Sequence, residues 1–306
     1  MDVRFQDFLQ WVNALGAEPR LRPLTLVDRG DHGWCEFVEV SSCGSRDEVS
    51  RFYQRLGSYL ALLYALDAAD LHNENLVAAG EHPTLVDLEA LFHPRVYGAD
   101  PLLGNLAVGA LDQSVWQIGL LPRRVWAGDD SVGVDMSGFG GEAGQMNPHR
   151  MMGWEKQGTD EMRLVRRRVE LPASDNRPRL LGEDVDVLDY QDDIVGGFTR
   201  TYRLLCRHRD ALLSQQLPRF SDDRIRVVIR STNVYGLLWY ESFHPELLRD
   251  ALDRERFFDR LWVEAAHRPY LARIIAAERR DLWRDDVPLF TTTPGSRVES
   301  DVRSPR

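Results

Sequence analysis

Apolar residues recur at helical spacing in four stretches of the chain. Residues 5–15, "FQDFLQWVNAL", repeat large apolar side chains every three or four positions, which predicts an amphipathic helix. Residues 45–66 open with a serine and an acid-rich first turn and then become almost wholly apolar, which predicts a helix buried on most sides. Residues 184–215 predict a turn and a long helix, and residues 244–266 predict another helix that begins near Pro245.

Short apolar runs bounded by turn residues predict strands between these helices. Two pairs of runs predict β-hairpins, one around the turn "RGDHG" and one around the turn "GEHP". Residues 127–160 are rich in Gly, Asp and Ser without a lasting period, which predicts a long, partly mobile loop. The predicted strands cover residues 24–28, 33–40, 75–79, 84–91, 161–171 and the start of residues 224–240, where a helix follows. The pattern therefore predicts a mainly helical α+β fold.

Composition narrows the class of protein. With 43% hydrophobic residues and no apolar run near eighteen residues, the chain is expected to be globular, without a membrane span or a signal peptide, and to reside in the cytoplasm. The three cysteines form no C-x-x-C motif, which favours reduced thiols. A net charge of -10 argues against nucleic acid as a partner. The chain has a single lysine, Lys156, which falls within the predicted loop.

One stretch, "DLHNENLVAAGEHPTLVDLEALFHP" from Asp70 to Pro94, places several chemically active side chains on a loop and hairpin. A kinase-type site needs an Asp that orients or deprotonates the acceptor hydroxyl, an Asn five residues later, and a second metal-binding Asp after the next hairpin. Asp70, Asn75 and Asp87 stand in that order. Mg²⁺ takes oxygen ligands, which Asn75, Asp87 and Glu89 supply.

Other interpretations of this stretch stay open at the level of single residues. Asp70 and Asn75 are also suited to a helix cap and a turn, with Asp87 on a solvated strand. His72 is placed to contact phosphate or to hold Asp70. A zinc site formed by His72, His82 and His93 is a weaker alternative, because their spacing matches no zinc motif. The Asp-x-His-x-x-Asn pattern also resembles the catalytic loops of aminoglycoside-type and lipid kinases, so by itself it indicates only a kinase-like phosphotransferase.

Several further segments point to one family. The segments are "DRGDHGWCEFVE", "FYQRLGSYLALLYALDAADLHNENLVAAGEHPTLVDLEALFHP", "GLLP", "DMSGFGG", "IVGGFTRTYRLL", "IRSTNVYGLL" and "DDVPLFT". In this order they resemble the dehydratase domain of class II lanthipeptide synthetases, the LanM type. The resemblance implies the C-lobe of a protein- or lipid-kinase-like fold, with short β-hairpins and a long activation-like loop.

The same resemblance implies a two-step reaction. The enzyme would use ATP and Mg²⁺ to phosphorylate Ser and Thr of a precursor peptide. Elimination of the phosphate would then leave dehydroalanine or dehydrobutyrine. Asp70, His72, Asn75, Asp87 and Glu89 match the phosphorylation residues of the family.

Arg226 and Thr232 match the family's elimination pair. An arginine that neutralises the leaving phosphate lowers the barrier, and a hydroxyl can orient that arginine. Without the resemblance, Arg226 reads as an exposed strand residue and Thr232 as a helix cap.

The expected organisation is a kinase-like dehydratase domain at residues 1–290 and a disordered tail or linker at residues 291–306. The family's N-lobe, with its phosphate-binding lysine, is expected upstream, and the zinc-binding cyclase domain is expected to follow, so no zinc is expected in this portion. Both are expected as partners, in the same or another chain, together with the precursor peptide. The alternatives are a small-molecule kinase of the aminoglycoside type and an inactive remnant that binds the precursor peptide.

Overall fold

The computed structural model describes residues 1–94, 110–111, 113–126, 133–147 and 150–296. Four helices of the described part contain ten or more residues: α1 (Asp2–Ala14), α2 (Arg46–Ala65), α3 (Gln191–Arg207) and α5 (Thr232–Glu241). A further one, α8, covers Ile275–Trp283. The shorter helices are α4 (Arg209–Ala211), α6 (Ala251–Phe257) and α7 (Leu261–Ala265).

The strands of the described residues form two-stranded antiparallel ladders. Each of the six ladders joins strands that are consecutive in order, and in the sixth, β11 and β12 are separated by a long stretch of helices. The strands are β1 (Leu26–Asp28), β2 (Gly33–Cys35), β3 (Leu76–Ala79), β4 (His82–Leu85), β5 (Arg124–Val125), β6 (Val134–Asp135), β7 (Met151–Glu155), β8 (Arg163–Arg167), β9 (Arg179–Leu180), β10 (Glu183–Asp184), β11 (Ile225–Arg226) and β12 (Thr291–Thr292). The predicted α+β class is confirmed.

The main core is built around α2. Every residue from Arg55 to Leu63 is buried, as the apolar run predicted. Ser45 caps the helix by accepting a hydrogen bond from the Glu48 amide at 3.3 Å, and the Glu48 carboxylate accepts one from the Gly44 amide at 2.7 Å. The apolar stripe of α1 packs into the same core.

Close contact between α2 and α3 depends on two glycines. A Cβ atom on Gly57 would lie 2.1 Å from the Ile194 carbonyl oxygen, and a Cβ on Gly197 would lie 1.9 Å from that of Gln54. Neither distance is possible for a real side chain, so glycine is required at both positions for this spacing. After α2, the chain continues through a loop into the hairpin β3–β4.

A second apolar cluster lies in the C-terminal part. It gathers seven buried residues from α5 onward: Tyr235, Phe258, Leu261, Ala265, Leu271, Ile275 and Leu282. Within it the fully buried Glu278 accepts hydrogen bonds from Arg230 Nε at 2.8 Å and from the Tyr235 hydroxyl at 2.6 Å. A buried charge needs such partners, so this network fixes the start of α5 to α8.

The structure corrects three sequence predictions. The predicted loop at 127–160 contains β6 and β7, and β7 pairs along its full length with β8. The predicted helix at 244–266 is broken, because Asp250 adopts an extended backbone and caps a new helix by accepting from the Leu252 amide at 2.9 Å. Within the tail predicted at residues 291–306, Thr291–Thr292 form β12, and residues 297–306 lie outside the described part.

Strand β11 lies beside both the hairpin region and β12. Arg226 is opposite Thr291 in the ladder, and the Val227 amide donates to the Phe290 carbonyl at 2.8 Å. Ile225 and Val227 are buried on one face of this segment. Because side chains alternate along a strand, Arg226 lies on the opposite face. In the described part of the chain, no helix has both the length and the apolarity that a bilayer crossing requires.

Candidate active site

The loop after α2 holds Asp70 in an unusual backbone conformation. Asp70 has a φ of 61°, in the left-handed region that costs a non-glycine residue about 1–2 kcal/mol. The neighbouring backbone is tied down, because the Ala69 amide donates to the Ala90 carbonyl at 3.1 Å and the Leu71 amide to the Ile118 carbonyl at 2.9 Å. Such strain at a fixed position is a feature of functional sites.

Gly119 lies against this loop. Its φ is 93°, and a Cβ atom there would lie 2.9 Å from the Leu71 carbonyl oxygen and 3.0 Å from the Leu71 nitrogen. Only glycine combines this conformation with so close an approach. The "GLLP" segment, which begins with Gly119, therefore supports the backbone next to Asp70. The sequence shows the glycine but not that it lies against Leu71.

Asn75 is buried at the start of the hairpin. Its Nδ2 donates to the Asp70 carbonyl at 3.4 Å, and its own carbonyl accepts from the Val86 amide at 3.0 Å. This second bond brings the segment of Asp87 back beside Asn75 across the hairpin, as predicted. Asp87 and Glu89 follow β4 and are exposed, and Asp87 Oδ1 accepts from the Glu89 amide at 3.2 Å.

Arg226 connects the two halves of the site. Its guanidinium forms an ion pair with Glu89 and donates to the Thr232 hydroxyl at 2.6 Å. Its backbone amide donates to the Glu89 carbonyl at 2.7 Å. The helix cap is Ser231, whose side chain accepts from the Asn233 amide at 3.3 Å, so the interpretation of Thr232 as the cap of α5 is wrong.

The charges of the site act on Asp70. Surrounding protein atoms displace water from its carboxyl, and this desolvation raises its pKa even though part of the residue stays exposed. His72 and Arg226 lower the pKa of Asp70 electrostatically, whereas the negative charges of Asp87 and Glu89 raise it. These charges therefore lie close enough to Asp70 to influence its carboxyl. The net direction, a raised pKa, suits a carboxylate that accepts a proton.

His72 and its neighbours are held by a buried turn. His72 forms a β-bridge with Ser137, and the Asn73 amide donates to the Met136 carbonyl at 3.0 Å. Residues 137–141 are all buried, so this portion of the predicted mobile loop is instead packed beside the hairpin. Asn176 Nδ2 donates to the carbonyls of residues 138 and 140 at 2.8 and 2.9 Å, a support that sequence analysis missed.

The donor set fits a magnesium ion only in part. Asn75 uses Nδ2 in the bond to Asp70, so its amide oxygen is not committed by that bond, and Asp87 offers an exposed carboxylate. Glu89 is paired with Arg226, so metal binding there would compete with that ion pair. No group of three or more His, Cys, Asp and Glu side chains placed to hold a metal ion occurs in the described residues. The amide of Asn75 and the oxygens of a bound phosphate would therefore have to complete a magnesium site.

Two other features lie away from these residues. A surface groove of about 670 Å³ between the Gly16–Glu18 turn and α3 is lined by Arg200 and Arg203, among others, and by none of the predicted site residues. Lys156 lies in the turn between β7 and β8, where it pairs with Glu161.

Comparison with known proteins shows the family of the chain. A family model described as "Domain of unknown function (DUF4135)" matches residues 1–293, so the chain belongs to this family. Among curated proteins, the chain is similar to "Lacticin 481/lactococcin biosynthesis protein LcnDR2" of Lactococcus lactis subsp. lactis, with 26% identity over 280 residues. The match covers 85% of this chain and 29% of the relative, so the chain spans less than a third of the relative's length. The resemblance to a LanM-type domain is confirmed.

Proposed function

We propose that the chain carries the catalytic residues of a lanthipeptide dehydratase. It would phosphorylate Ser and Thr of a precursor peptide with ATP and then eliminate the phosphate, on a kinase-like C-lobe. Membership of the family and the name of the relative support a role in lanthipeptide maturation.

The observation that carries the proposal is the position of Arg226. Its guanidinium contacts Glu89, which follows the hairpin that begins near Asp70, and also Thr232, its predicted partner in elimination. Residues expected for phosphate transfer and residues expected for elimination thus share one contact. Elimination needs a positive charge at the departing phosphate, and the Arg226–Thr232 contact would supply that charge in a fixed orientation.

In the first step, the peptide hydroxyl oxygen would attack the γ-phosphorus of ATP while the bond to ADP breaks. The hydroxyl proton would pass to Asp70, whose raised pKa improves it as a proton acceptor. The backbone amide of His72 donates to the Asp70 carbonyl at 3.1 Å, which helps to fix the loop that carries the carboxylate. When bound, magnesium supplies positive charge that offsets the nucleotide phosphates, and Asn75 and Asp87 are the residues that would hold it.

In the second step, a base would remove the Cα proton, and the electrons of the Cα–H bond would form the Cα=Cβ double bond while the Cβ–O bond breaks and the phosphate leaves with that bonding pair. The phosphate departs with negative charge on its oxygens. The positive charge of the Arg226 guanidinium would neutralise it, and Thr232, which accepts a hydrogen bond from Nη2 at 2.6 Å, would hold the guanidinium in place.

Mass spectrometry tests the proposal. The full chain is incubated with a lanthipeptide precursor, ATP and Mg²⁺, and the peptide is expected to gain phosphate and then show a net loss of water. Asp70→Asn should remove the first step but retain elimination from a synthetic phosphoserine peptide.

Two results would count against the dehydratase. A stable phosphopeptide that never loses phosphate would indicate a simple kinase. Binding of the precursor with no mass change would indicate an inactive remnant.

A further inference from the structure

His93 closes the hairpin segment and reaches across to the strand of Arg226. The backbone of His93 is anchored, because its amide donates to the Asp67 carbonyl at 3.0 Å. Its imidazole Nε2 accepts a hydrogen bond from the Val228 amide at 2.8 Å. The ring is half-buried, and burial lowers the pKa of His93, which favours the neutral ring that such an acceptor needs.

This bond takes the place of a missing sheet partner. Along the strand, the amides of residues 226 and 228 point to the same edge, and the amide of residue 227 points to the other. The Arg226 amide donates a hydrogen bond to the Glu89 carbonyl, and the Val227 amide donates one to the Phe290 carbonyl. No backbone carbonyl of the described residues accepts from the Val228 amide in the same way, and the imidazole of His93 does so instead.

The consequence concerns the direction of the Arg226 side chain. Two bonds on one edge, to Glu89 and to His93, fix both the position and the tilt of the strand against the hairpin. Without the bond to His93, the Glu89 carbonyl alone of these two acceptors would hold this edge of the strand against the hairpin segment. Displacement of a catalytic group by about 1 Å can reduce a rate on the order of a hundredfold.

We propose that His93 is a positioning residue for phosphate elimination, since its imidazole holds the strand of Arg226 in register with the hairpin of Asp70 and Glu89. This inference rests on the proposed function and adds a residue to it. His93 touches neither of the side chains that would meet the phosphate.

The test compares three replacements at this position in the full chain. His93→Gln keeps a hydrogen-bond acceptor near the position of Nε2. His93→Asn keeps a polar amide, but its side chain is too short to bring the acceptor to that position. His93→Leu removes the acceptor. Elimination is measured as loss of phosphoric acid from a synthetic phosphoserine peptide, which needs no prior phosphorylation. His82→Leu is the matched control, because His82 is a half-buried histidine at the turn end of the same hairpin.

We expect elimination by His93→Gln to stay within about twofold to threefold of the wild-type rate and elimination by His93→Asn and His93→Leu to fall about tenfold or more. Amide hydrogen exchange at Val228 should speed up in the two slow variants and stay protected in the Gln variant. Phosphorylation from ATP, where it is measured, should change less than elimination.

The role of the acceptor would be overturned if all His93 variants eliminated phosphate at the same rate. It would also be overturned if His93→Gln and His93→Asn lost the same fraction of the wild-type elimination rate. The Gln and Asn pair keeps the test decisive if the Leu variant does not fold. A wild-type chain that does not eliminate phosphate would instead remove the proposed function, and this inference with it.

Discussion

Replacement of Arg226 by glutamine separates the two proposed steps. Glutamine keeps a polar side chain of similar length but removes the positive charge and the fork of donors that binds Glu89 and Thr232. Phosphorylation should continue, because Arg226 contacts neither the Asp70 carboxylate nor Asn75 by a hydrogen bond. Elimination should slow, because the leaving phosphate loses its charge partner.

The magnitude follows from the kind of contact that is lost. Removal of one preorganised donor from a developing anion costs roughly a hundredfold to a thousandfold in rate, or about 2.7–4 kcal/mol. The cost to folding is much smaller. The Glu89 side chain in this pair is 45% exposed, and partly exposed ion pairs contribute at most about 1 kcal/mol. A melting temperature within about 4 °C of the wild type is therefore expected.

The assay follows one precursor peptide by mass spectrometry with ATP and Mg²⁺. The Arg226→Gln protein should accumulate phosphopeptide, whereas the wild type should proceed to loss of water. Arg224→Gln is the control, because Arg224 is an exposed arginine of the same segment. Removal of the Arg226 charge should also raise the pKa of Asp70 further, so the acid limb of phosphorylation should move to higher pH. Elimination by Arg226→Gln at the wild-type rate would refute the reasoning.

Three further predictions concern the support of the site. Gly119→Ala should cost more than about 1 kcal/mol and slow phosphorylation, measured by thermal unfolding and ATP turnover, because the new methyl group meets the backbone after Asp70. Gly197→Ala should cost about 1–3 kcal/mol in denaturant unfolding, whereas Gly196→Ala, whose methyl group would meet only a flexible arginine, should cost less. Glu89→Gln should lower the pKa of Asp70, so the acid limb of residual phosphorylation should move to lower pH; an unchanged profile would contradict the electrostatic assignment.

The hairpin and the order of the side chains along it were readable from the sequence. Asp70, Asn75 and Asp87 lie on one short segment, so local spacing dictates their relation, and the Val86–Asn75 bond forms as the hairpin predicts. The family resemblance added Arg226 and Thr232, because nothing in local spacing links them to a hairpin more than a hundred residues earlier.

Some predictions failed where long-range contacts decide the structure. The stretch at 137–141 lacks any period and reads as loop, yet it is buried because Asn176 donates to its carbonyls from far along the chain. Thr291–Thr292 read as tail because two threonines carry no apolar pattern, and they become a strand only because β11 offers an edge. Such pairing is invisible to a local window.

The amino-acid sequence by itself determined the buried helix α2, the hairpin that follows it and the order of the acidic and amide side chains. These features depend on apolar periodicity and on neighbours within a few residues. Only the tertiary structure decided that Arg226 meets Glu89 and Thr232, that His93 accepts from the Val228 amide just after β11, and that Gly119 lies against Leu71. Those contacts join distant segments, and their geometry follows from how the two cores pack rather than from any local preference.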